Sequence, residues 1–186
     1  LGYADDAPKI PAAAVDHESA SQLRRMVERG RAPRVRLQMG ARFEGDITTH
    51  NVVGEIRGRE HPDEIVVVGC HIDAWDVGTG AQDDAAGCVA AMEAGRQIAA
   101  LGVAPRRTVR VVLYTNEENG LAGGRTYARV HADETHIAAL EMDSGAGPFL
   151  GYRVDARTGG GPEADDAERE RIIAAMAPLR PLFSAL

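Results

Sequence analysis

Three short apolar runs, IVVVG (residues 65–69), TVRVVLYT (108–115) and HIAALEM (136–142), constrain the fold of this chain more than any other feature. Runs of this length and continuity predict strands covered on both faces. Between the first two, Cys88, Ala91, Met92, Gly95, Ile98 and Ala99 recur at helical spacing and Gly102 supplies a stop. Between the second and third, residues 121–130 read as another helix. Strand, helix, strand, helix, strand predicts a three-layer α/β sandwich around a central, mainly parallel sheet with right-handed crossovers.

The flanking segments are weaker in pattern. Residues 1–12 read as an extended connector, after which Asp16 can cap a short helix with Leu23, Met26 and Val27 on its apolar face and Gly30 as its stop. Residues 34–39 and 51–57, separated by the turn-like FEGD, alternate or are β-branched and predict a pair of strands. Residues 155–167 form a polar, glycine-rich loop, and 168–179 predict a last amphipathic helix. No internal repeat is evident. Nothing beyond Pro178 and Pro181 supplies another strand, so the sheet is expected to be incomplete.

Composition narrows the function. A length of 186 residues suits one domain with a sizeable core, and with 4 % aromatic residues that core must come mainly from Val, Ile, Leu and Ala. A net charge of −7 leaves no basic footprint for nucleic acid. No apolar stretch approaches the roughly 20 residues needed to cross a bilayer, and LGYADDAPKI has neither the basic nor the apolar region of a signal peptide. The two cysteines are too few for a disulfide framework. With Cys70 ending a strand and Cys88 facing inward on a helix, both are expected to be buried free thiols.

Carboxylates accumulate where such a sheet binds ligands, outside the carboxyl ends of its strands. IVVVG runs into His71 and Asp73, VVLYT into Glu117 and Glu118, and IAALEM into Asp143, while Asp83 and Asp84 sit in the loop before the first crossover helix. Each feature alone has an ordinary structural explanation: an HxD after a strand can cap a loop, Asp-Asp before a helix can be an N-cap, and a Glu-Glu pair can be solvated. In conjunction they place one imidazole among five or more carboxylates on one edge of the sheet. Such a cluster repels itself unless cations lie within it. Zinc accepts this mixture of His nitrogen and carboxylate oxygen, and two zinc ions bridged by a carboxylate would use most of the donors. The other histidines, at 17, 50, 61, 131 and 136, are expected in surface or turn roles.

The stretches HIDAWD, GAQDDAAG, TNEENGLAGG and EMDSG resemble the co-catalytic zinc exopeptidases, and within them the carboxypeptidase Q group. The resemblance covers nearly the whole chain. APKIPAAAVDHESASQLRRMVERG is similar to the return from that family's inserted protease-associated domain, which implies a return segment over residues 1–30 and a partial zinc peptidase catalytic domain over 31–186. Carried over residue by residue, the pattern implies His71 and Asp143 as ligands of one zinc, Asp83 as the bridge and Glu118 as a ligand of the other. Glu117 becomes the general base, Asp73 the partner of His71's far ring nitrogen, and the Asp83–Asp84 peptide cis. The implied substrate is a dipeptide or short peptide; a homodimer and an exported location are also implied, and neither nucleic acid nor membrane is.

One departure matters. The family pattern places a final histidine ligand well downstream of EMDSG, and no histidine follows His136, so the chain reads as truncated at both ends. Ala74, Ala86, Asn116 and Cys70 also depart from the pattern, at positions that are not proposed donors. Two other functions compete with a peptidase: a non-catalytic domain on the same fold with an incomplete metal site, and a cyclising acyltransferase with one zinc. Retention of His71, Asp83, Glu117, Glu118 and Asp143 favours the peptidase over a decayed domain.

Overall fold

The computed structural model describes residues 10–40, 42, 45–76, 78–143 and 165–179. The first helix, α1 (His17–Glu28), starts where Asp16 accepts the N–H of Ser19 at 2.9 Å, and the chain leaves it through Gly30 at φ 71°. No residue of α1 is buried. Four strands form one sheet: β1 (Val52–Ile56), β2 (His61–His71), β3 (Arg107–Tyr114) and β4 (Thr135–Glu141), in the order β1-β3-β2-β4. β2 runs parallel to both β3 and β4, whereas β1 is antiparallel to β3. The crossovers are α2 (Ala85–Ala100) and α3 (Ala122–Val130), as the change of period predicts. A last helix, α4 (Asp166–Met176), is capped by Asp165 and runs into a 3-10 turn, Ala177–Leu179; it buries no residue.

The two inner strands, β2 and β3, alternate between two covered faces. Ile65, Val67 and Val112 point to one face and form a core with Tyr127 of α3, whose ring meets Tyr114 edge-on at 5.8 Å. The opposite face receives α2, which packs so closely that a Cβ at Gly95 would lie 2.9 Å from Val111 Cγ2. Helix, sheet and helix make the three layers. β4 lies at the sheet's edge with all seven residues exposed.

Three expectations are corrected. Residues 34–39 form no strand among the described residues. Their alternation expresses a preference for extended backbone, but a strand also needs a neighbour to complete its ladder, and alternation cannot supply one. β2 begins at His61 rather than Ile65, because the polar HPDE stretch continues the pairing through a register shift against β3. Finally, Cys70 and Cys88 are a disulfide, not free thiols. Cys70 points from β2 toward α2 and Cys88 points back from the helix's first turn. Their Cα atoms are 5.0 Å apart, within bridging range. Of the glycine-rich loop at 155–167, residues 155–164 lie outside the described residues.

Candidate metal centre

Each proposed donor is delivered by a strand end or by the loop beside one. His71 is the last residue of β2 and 1 % exposed. Asp83 precedes Asp84, the N-cap of α2, and the peptide between them is cis, as the resemblance implies. Glu117 and Glu118 follow β3 in a tight turn opened by Asn116 at φ 57°, a left-handed conformation that asparagine tolerates better than most residues. The turn closes as Leu121 donates to the Glu117 carbonyl and Gly123 to that of Thr115. Asn51, ahead of β1, secures it by accepting the N–H of Thr115 at 3.1 Å and donating to the Gly123 carbonyl at 2.9 Å. Asp143 lies two residues beyond β4.

These groups converge. From His71 Nε2, Asp83 Oδ1 is 3.0 Å away, Asp143 Oδ1 3.6 Å and Glu117 Oε2 4.0 Å. One donor atom each from His71, Asp83 and Glu118 lies within 4.8 Å of the others. Nε2 is nevertheless buried without a hydrogen bond, since the close approach of Asp83 lacks the geometry for one, and Glu118 Oε1 is likewise buried and unpartnered. Buried polar atoms are costly to leave unpaired. The pair of orphaned atoms, aimed into a cluster of carboxylates, is what a cation-binding site requires, and the donor chemistry fits zinc.

The opposite ring nitrogen explains how Nε2 is kept free. Nδ1 lies 2.9 Å from the backbone carbonyl of Asp73, which can only accept; Nδ1 therefore carries the proton, and in the neutral ring Nε2 presents its lone pair. Asp73 thus meets the far ring nitrogen through its backbone carbonyl rather than its carboxylate, whose Oδ1 is 3.7 Å away. That carboxylate instead accepts the backbone N–H groups of Glu117 at 2.9 Å and Glu118 at 3.2 Å. Asp73 thus couples the His71 strand to the glutamate turn through both its backbone and its side chain.

The sequence placed Asp84 beside the site without assigning it a contact there. It is 1 % exposed, and its two oxygens accept the N–H of His71 at 3.1 Å and of Gly87 at 3.0 Å, tying the strand end to the helix start. The available signal was its place before the helix, which fits an N-cap equally well. Gly87 is required by the close approach of two chain segments: a Cβ there would fall 2.1 Å from the Met142 carbonyl oxygen, next to Asp143. His131, in the turn after α3, and the exposed His136 of β4 flank Tyr127. His131 is tilted against its ring at 4.4 Å, and His136 Nε2 is 2.9 Å from its hydroxyl.

The electrostatics match a crowded acidic site. Burial pulls the His71 pKa down, but the Asp73 carbonyl and the charges of Glu117, Asp143 and Asp84 outweigh it and leave the imidazole above its ordinary value. Burial, then the neighbouring Asp83 charge, push Glu118 up. Glu141 is raised by burial and by Asp143. Alongside lies a cavity of about 220 Å³ lined by Tyr114, Glu117, Leu121, Gly124, Glu141 and Asp143.

A largely parallel α/β sheet that gathers an imidazole and several carboxylates at its carboxyl edge has the build of a metallopeptidase domain. The sequence profile of peptidase family M28 matches residues 51–178, and the chain belongs to that family. Carboxypeptidase Q of Homo sapiens is 38 % identical over 177 residues, covering 95 % of this chain and 37 % of that protein. Carboxypeptidase Q of Xenopus laevis is 41 % identical over 148 residues, covering 80 % and 32 %. The crystal structure of a peptidase M28 precursor from Shewanella amazonensis matches with a TM-score of 0.74 at 39 % identity, over 97 % of this chain and 40 % of that one. The chain therefore spans well under half the length of these relatives.

Proposed function

We propose that this chain carries most of the catalytic centre of a two-zinc exopeptidase that hydrolyses dipeptides or short peptides. The observation that carries the reading is His71 Nε2, buried, unpartnered and aimed among Asp83, Asp143 and Glu117. His71 and Asp143 would hold one zinc, Asp83 would bridge, and Glu118 would hold the second. Bound zinc supplies Lewis acidity and lowers the pKa of water toward neutrality.

The chain's own residues provide the rest. Glu117 takes the proton of the attacking water on a carboxylate oxygen and returns it to the leaving amine nitrogen. Its side chain is 29 % exposed, open enough to meet substrate. Asp73 holds the backbone of Glu117, so the base stays aimed while its carboxylate changes charge. The neighbouring cavity is small enough to take one compact side chain of the peptide.

Glu117→Gln in the full-length protein tests this. The amide keeps the shape but cannot accept the proton, so zinc content should persist while hydrolysis falls by about 10²-fold or more. Loss of zinc together with activity would make Glu117 a ligand instead. The disulfide favours an oxidising, exported setting, and among the described residues no helix is long and apolar enough to cross a membrane. The competing reading is a non-catalytic role for this chain. A full-length protein that binds zinc but hydrolyses no peptide would establish that role.

A further inference from the structure

Cys70 and Cys88 are 18 residues apart, and the loop their bridge closes contains His71, Asp73, Asp83 and Asp84. Cys70 is fully buried directly before His71, and Cys88 is 5 % exposed in the first turn of the helix that Asp84 caps. Between these anchors Asp73 and Asp84 make the bonds described above, and among the described residues of 74–82 backbone bonds are few. Ile72 donates to the Tyr114 carbonyl, Gly78 to that of Trp75 and Ala85 to that of Gly80, and much of its surface faces solvent. Yet His71 Nε2 and Asp83 Oδ1, at opposite ends of this loop, are held 3.0 Å apart within a cluster whose carboxylates repel one another.

We infer that the Cys70–Cys88 bridge is a positioning element of the metal centre, holding His71 and Asp83 at ligating separation before a cation arrives. This rests on the metal-site reading above. A covalent tie between the strand end and the helix start removes loop conformations in which the two donors are apart, so less ordering remains to be done on binding. The contacts of Asp84 with His71 and Gly87 run beside the bridge and fix orientation, while the bridge fixes distance. The sulfurs themselves are not ligands, because both are consumed in the bond. Opening it takes a dithiol reductant: one thiolate attacks a bridge sulfur, the S–S bond breaks, and the second thiol displaces the protein thiol. The protein gains two thiols and the reductant becomes a cyclic disulfide.

The test is Co²⁺ binding to the chain, followed by calorimetry and by the visible d–d bands of the bound ion. It compares the oxidised protein, the C70A/C88A variant, and protein reduced with dithiothreitol and freed of it anaerobically. The bridge-free forms are expected to bind about tenfold or more weakly while the band pattern persists, the size typical for losing a group that orients metal ligands. Glu134→Gln, which removes the Arg110 ion pair at the far edge of the sheet, serves as the control and should leave Co²⁺ affinity unchanged. If C70A/C88A does not fold, reduction and reoxidation of the wild-type chain give the same comparison. Equal affinity with and without the bridge would overturn the inference and leave the metal site standing, as would an equal loss in Glu134→Gln. Thiolate-to-cobalt charge-transfer bands in the reduced protein would also overturn it, by making the cysteines ligands. Binding that survives His71→Ala would overturn the metal-site reading, and the inference with it.

Discussion

The carboxylate of Asp73 accepts the backbone N–H of Glu117 at 2.9 Å, so the residue two places beyond the β2 imidazole also holds the turn that follows β3. Its second oxygen takes the N–H of Glu118. An asparagine can accept with one oxygen only, and its NH₂ would face an N–H. Asp73→Asn should therefore destabilise the fold by about 1 kcal/mol, since it leaves a half-buried donor unpaired. Chemical denaturation gives the stability, and amide exchange at Glu117 and Glu118 locates the effect. Unchanged exchange there would contradict this role.

Gly87 sits where α2 meets the segment leading out of β4. An added methyl would lie 2.1 Å from the Met142 carbonyl and 2.2 Å from Asp84 Oδ1. Backbone and N-cap would both have to shift, so Gly87→Ala should cost about 3 kcal/mol and weaken metal binding by moving Asp143. Denaturant midpoints and zinc titration read the two effects, and a variant as stable as wild type would show that the contact relaxes freely.

Zinc content should follow the donor count. His71, Asp83 and Asp143 offer three ligands to one ion, whereas among the described residues Glu118 has only Asp83 to share. The chain alone should keep at most one firmly held zinc after dialysis and show little dipeptide hydrolysis, and Asp83→Asn should reduce occupancy further. Plasma mass spectrometry gives zinc per chain. Two tightly bound ions would mean that another residue completes the site.

Stability in acid should depend on the far edge of the sheet. Arg110, with its side chain 8 % exposed, reaches Glu55 of β1, Tyr127 of α3 and Glu134, and its hydrogen bond lowers the Glu134 pKa to about 2. Because the folded value lies below the ordinary one, this contribution is present above about pH 4.5 and is lost as the pH falls toward 2. Glu134→Gln should be less stable than wild type at neutral pH, with the difference shrinking through that window. Thermal melts across pH 2–7 measure it, and a gap independent of pH would exclude the ion pair as its source.

Local information determined much of this protein. The βα alternation, the Asp16 and Asp84 caps, the glycine stops and the placement of His71, Asp83, Glu117, Glu118 and Asp143 beside strand ends follow from periodicity and capping, which act over a few residues. The family motifs added the Asp83–Asp84 cis peptide. Tertiary structure decided which partner each group takes. Alternation at 34–39 could not provide a neighbouring strand, and the Cys70 and Cys88 positions did not reveal that their sulfurs face each other. Nor could spacing show that His71 Nδ1 meets the Asp73 carbonyl while the carboxylate turns to Glu117, or that Asp84 reaches back to His71. Those outcomes depend on strand register and on the angle at which α2 leaves the sheet. Both are set by packing between segments distant in the chain, so a short window of sequence places the donors but not the bonds that hold them.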